Sequence, residues 1–80
     1  MPTILRQGGF EVRIRTRDHA PAHIHIFTGG TEVIINLGVG AEFPVIRDIN
    51  GMSRQNVRRA FEITAQNNGL FLERWREIHG

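Results

Sequence analysis

From Phe10 to Arg17 the chain alternates, with Phe10, Val12, Ile14 and Thr16 on one face and Glu11, Arg13, Arg15 and Arg17 on the other. Successive side chains of a strand point to opposite faces, so this is the pattern of a half-buried strand. Gly8-Gly9 before it reads as a turn. Asp18-His19-Ala20-Pro21-Ala22 ends it, because Pro21 supplies no ladder donor. A second alternation predicts a strand over His23–Phe27, with Ile24 and Ile26 inward and His23, His25 and Phe27 outward. Gly29-Gly30 turns the chain again. Thr31 to Leu37 then reads as a third strand, with Val33, Ile35 and Leu37 inward and Glu32, Ile34 and Asn36 outward. Phe43 to Asp48 adds a short fourth strand before the Asn50-Gly51 turn.

The period changes after Ser53. Its hydroxyl is suited to accept a first-turn N–H, and Met52 and Val57 have the spacing of a hydrophobic staple. Val57, Ala60 and Phe61 begin an apolar stripe that weakens at Thr64 and continues at Ala65, with Ile63 at its edge. Asn67-Asn68-Gly69 reads as a C-cap and turn. Phe71, Leu72, Trp75 and Ile78 form a second stripe. The fold class expected is α+β: an antiparallel three- to four-stranded β-meander followed by two helices packed on one face. Eighty residues form one domain, residues 1–80, with no room for a second core.

Composition narrows the chemistry. There is no cysteine, which excludes disulfides, thiolate zinc and cysteine nucleophiles. No apolar run suits a signal peptide or a membrane span, so no membrane contact and a cytoplasmic location are expected. All ten strong bases are arginine, yet the formal charge is only +2. That is mild for non-specific nucleic-acid binding. Ser53, the only serine, already serves as an N-cap, and Gly38-Val39-Gly40 lacks the Lys-Ser/Thr of a phosphate loop.

The outward face gathers Arg13, Arg15 and Arg17 with His23, His25 and Glu32, and three readings of it stay open. It is the ordinary solvated face of a two-layer domain. Or it contacts RNA, with Arg13, Arg15 and Arg17 holding phosphates and His23 or His25 moving a proton during phosphodiester cleavage. Or His19, His23 and His25 bind a metal with help from Glu32 or Asp18. The binding and catalytic assignments therefore fall on these residues, and no cofactor is expected. His79 reads as a charge at the helix C-terminus.

The Met1-Pro2-Thr3-Ile4-Leu5-Arg6 opening with Gly8-Gly9-Phe10, the Pro21-Ala22-His23-Ile24-His25-Ile26 segment and the closing Leu70 to Gly80 helix together carry a resemblance. They resemble domain-of-unknown-function family 4160, whose members carry a Pro-Pro-His-Val-His-Val strand and a similarly placed Trp. Pro21, His23 and His25 match that motif. The resemblance implies a small bacterial protein encoded beside another in a toxin–antitoxin-like pair. The function expected is thus a component of such a module, acting through the Arg/His face by RNA binding or RNA cleavage, with a cognate small protein as partner. A non-catalytic protein-interaction module is the alternative, and His-cluster metal binding is a further one.

Overall fold

In the computed structural model, which describes residues 3–80, the alternating segments pair as one antiparallel sheet in the order β1-β2-β3-β4-β5. The strands are β1 (Thr3–Gln7), β2 (Phe10–Arg13), β3 (His23–Thr28), β4 (Thr31–Asn36) and β5 (Val45–Asn50). Met1 and Pro2, which open the family-like start, lie outside the described residues. Gly8-Gly9 and Gly29-Gly30 form the two tight hairpins, and all four glycines have positive φ. That geometry gives the turn a twist matching the strands it joins.

The architecture is α+β, with two corrections to the expected element count. The meander has five strands, because Thr3–Gln7 pairs with β2 as an additional edge. The C-terminal half is one helix, α1 (Arg54–His79), of 26 residues. It begins at Ser53, whose hydroxyl accepts from Asn56 N–H at 3.2 Å, as its N-cap role requires. It runs straight through Asn67-Asn68-Gly69, where the sequence suggested a break.

The break fails because those polar residues have tertiary or intrahelical partners. Asn68 Oδ1 accepts from Gly38 N–H at 2.9 Å, and its Nδ2 donates to Gly38 C=O at 2.7 Å. Asn67 Nδ2 donates to Ile63 C=O at 2.8 Å, one turn back. The buried positions Val57, Ala60, Thr64, Phe71 and Trp75 also keep one phase along the helix. Trp75 lies 18 residues beyond Val57, about five turns at 3.6 residues per turn.

The core lies between α1 and one face of the sheet. Val12, Ile24, Ile26, Val33 and Ile35 meet Val57, Ala60, Ile63, Phe71 and Trp75 there. Burial of each valine, isoleucine or phenylalanine side chain stabilises by about 1.5–3 kcal/mol before the entropy of ordering it is counted. Thr64 is polar but fully buried, and its hydroxyl donates to Ala60 C=O at 2.9 Å. No helix among the described residues is long and apolar enough to cross a membrane.

Candidate functional site

The second sheet face is built by β2, β3, β4 and the loop from Ile14 to Ala22. Register places His25 opposite Arg13 on one side and Ile34 on the other. His23 shares the parity of His25, so the two imidazoles are co-facial, with ring centroids 5.2 Å apart. The expected solvated face is not what they occupy. His23 is 4% and His25 3% exposed, which corrects the outward, open placement read from alternation.

Two elements cover them. β2 ends at Arg13 rather than Arg17, and the chain turns back at Arg15–Asp18. Asp18 N–H donates to Arg15 C=O at 3.1 Å, while Arg15 N–H donates to Asp18 Oδ2 at 3.1 Å. The turn continues through a cis Ala20–Pro21 peptide bond into β3. It delivers the Asp18 carboxylate onto the histidines: Oδ2 lies 2.9 Å from His25 Nε2 and 3.4 Å from His23 Nε2. From the other side comes Trp75 of α1, its ring centroid 5.1 Å from that of His23.

The far ring nitrogens are also engaged. His23 Nδ1 lies 2.8 Å from Pro21 C=O. His25 Nδ1 lies 2.7 Å from Glu32 Oε2, an oxygen that Arg15 Nη2 approaches at 3.5 Å. Partial burial pushes the Asp18 carboxyl up, but the hydrogen bond from Arg15 N–H, together with the donor and positive charge that His25 and His23 bring when protonated, outweighs it and holds the group below its ordinary range. Around this centre runs a row of rings, His79 on Trp75 at 3.9 Å, then His23, His25 and Phe27, with the Arg13 guanidinium 5.0 Å above Phe27.

The residues singled out by alternation are therefore only partly gathered. Arg13 pairs with Glu11 and Phe27, Arg15 with Glu32, and Arg17 is exposed in the turn. The three guanidiniums do not line one strand, because the strand stops at Arg13. His19 is exposed and is not part of the Asp18–His23–His25 group. Helical spacing marks Trp75 as core and His79 as a helix-end charge, whereas in the structure Trp75 packs on His23 and His79 stacks on Trp75, so both border the site. The proline that breaks β2 from β3 was the available signal: a loop leaving one strand and entering its neighbour must pass over their shared end.

A family model described as domain of unknown function (DUF4160) matches residues 9–76. No curated protein and no solved structure matches the chain.

Proposed function

The chain belongs to the DUF4160 family, and we propose that it works as the protein-interaction component of a toxin–antitoxin-like pair, joining its partner along β5. The observation that carries this reading is the state of that edge. Every residue of β5 is exposed, and among its apolar side chains Val45 is 62%, Ile49 48% and Ile46 38% exposed, with Phe43 just before the strand at 81%. Among the described residues β5 pairs only with β4, so it is an edge that another strand can join, with the Ile49 N–H held by Asp48 Oδ1 at 3.0 Å.

A bulge shapes this edge for docking. The register skips Arg47, so Ile46 sits opposite Ile35 and Ile49 opposite Val33. Simple alternation would place residues three apart on opposite faces, whereas here both isoleucines share the core-facing side. α1 packs chiefly over β3 and β4 and leaves them bare. The occupant that fits is an extended segment of the partner protein, adding a sixth strand and laying apolar side chains on Ile46 and Ile49. RNA cleavage by His23 or His25 has less support, since both are almost sealed from solvent.

The test is co-expression with the product of the neighbouring gene, followed by size-exclusion chromatography and an RNA-integrity assay. A stoichiometric complex is expected, and the Ile46→Lys/Ile49→Lys double variant should dissolve it without lowering the melting temperature. Persistence of the complex in that variant overturns the reading. So does a homodimer of the chain alone that the variant breaks, which would give the edge to a second copy. RNA loss that depends on His25 would assign the protein to catalysis instead.

A further inference from the structure

The atoms around Asp18 Oδ2 are mismatched if nothing lies between them. A backbone carbonyl only accepts, so His23 Nδ1, 2.8 Å from Pro21 C=O, carries the ring proton. The Glu32 carboxylate likewise takes a proton from His25 Nδ1 at 2.7 Å. In neutral rings both Nε2 atoms then present lone pairs, and both are aimed at a carboxylate oxygen, at 3.4 and 2.9 Å. Three electron pairs converge on one point. A proton on the His25 ring alone would satisfy Asp18 and Glu32 but leave the His23 Nε2 lone pair against Asp18 Oδ2 at 3.4 Å, and protonating both rings would place two like charges, 5.2 Å apart between centroids, in a setting almost closed to water. A single cation relieves it completely.

We propose that Asp18 Oδ2, His23 Nε2 and His25 Nε2 form a binding site for one divalent first-row transition ion, with zinc the best suited. The three donor atoms lie within 4.8 Å of one another. Ligands about 2.0–2.1 Å from zinc stand about 3.4 Å apart in a tetrahedron and about 3.0 Å apart at an octahedral corner. The separations of Asp18 Oδ2 from His23 Nε2 and His25 Nε2, 3.4 and 2.9 Å, lie close to those two values. Two imidazoles and one carboxylate suit zinc, cobalt or ferrous iron, and three protein ligands leave a coordination position open.

The surroundings are those of a metal-bound histidine pair. Each Nδ1–H is donated to a fixed acceptor, Pro21 C=O or the Glu32 carboxylate, which sets the tautomer and aims Nε2 inward. Pro21 and Glu32 are positioning residues. The Arg15–Asp18 turn supplies the third ligand and is exposed from Arg15 to Arg17, so it also offers the route of entry. The site is independent of β5, and neither proposal depends on the other.

The experiment takes the full chain stripped with chelator and titrates Zn2+ and Co2+ by calorimetry. It also records the visible Co2+ spectrum, the melting temperature and the histidine side-chain 15N shifts. One ion per chain is expected, with ligand-field bands, a raised melting temperature and Nε2 shifts at both His23 and His25. Asp18→Asn and His23→Gln should each weaken binding at least about tenfold, and Glu32→Ala by about ten- to a hundredfold. The wild-type 15N shifts decide the matter even where a variant fails to fold. Absence of binding at millimolar ion, binding undiminished in the Asp18 and His23 variants, or Nε2 shifts that stay put overturns the proposal.

Discussion

Asn68 and Gly38, thirty residues apart in the chain, hold each other through two hydrogen bonds: Asn68 Oδ1 accepts from Gly38 N–H at 2.9 Å and Nδ2 donates to Gly38 C=O at 2.7 Å. One side-chain amide thereby satisfies both backbone groups of a buried residue where β4 hands over to the loop before β5. Asn68→Ala leaves that N–H and C=O without partners. The expected cost is about 1–3 kcal/mol, read by urea denaturation with an unchanged m-value. A variant as stable as the wild type would show that water replaces the amide at no cost.

The same junction predicts a severe effect at Gly38 itself. A Cβ there would run into the backbone carbonyl of Glu42, which cannot rotate away as a side chain could. Gly38→Ala should therefore destabilise by at least about 1–3 kcal/mol, and in combination with Asn68→Ala the two costs should fall short of adding, since both open one contact.

Gly69 gives the opposite sign. It lies inside α1, and a Cβ added there meets nothing within 4 Å. Alanine orders less backbone freedom on folding, so Gly69→Ala should stabilise by about 0.5–1 kcal/mol. A thermal melt checks it. Were Gly69 a left-handed cap between two helices, the same substitution would lower the melting temperature.

Glu11 sets a dependence on acid. Desolvation raises its pKa, but hydrogen bonds from Arg6, at 3.0 Å, and from Arg13, with the charges of both, hold the carboxyl below the ordinary glutamate value of 4.5. In the unfolded chain the group takes up its proton first as pH falls. The stabilisation it gives is thus whole above 4.5 and is lost as pH drops through the lower folded value. Glu11→Gln should flatten the fall of melting temperature in that acid window and lower it slightly at neutral pH. An acid profile identical to the wild type would remove Glu11 as a contributor.

Much of the fold could be read from local periodicity. Strand β3, the glycine hairpins and the Ser53 cap each depend on residues within a few positions of one another, which is why the sequence alone determined the α+β class and the co-facial pairing of His23 with His25. The helical phase itself argues for one helix, because Val57, Thr64, Phe71 and Trp75 stay on one stripe that a real turn would disrupt. What tertiary structure alone decided is what covers each face. Asn68 continues the helix because Gly38 lies beside it, and β5 is bare because α1 lies elsewhere on the sheet. Alternation tells which side chains share a face, but whether that face meets water depends on segments distant in sequence. Asp18 and Trp75 arrive from a loop and a helix end, and they convert two apparently open imidazoles into an enclosed site.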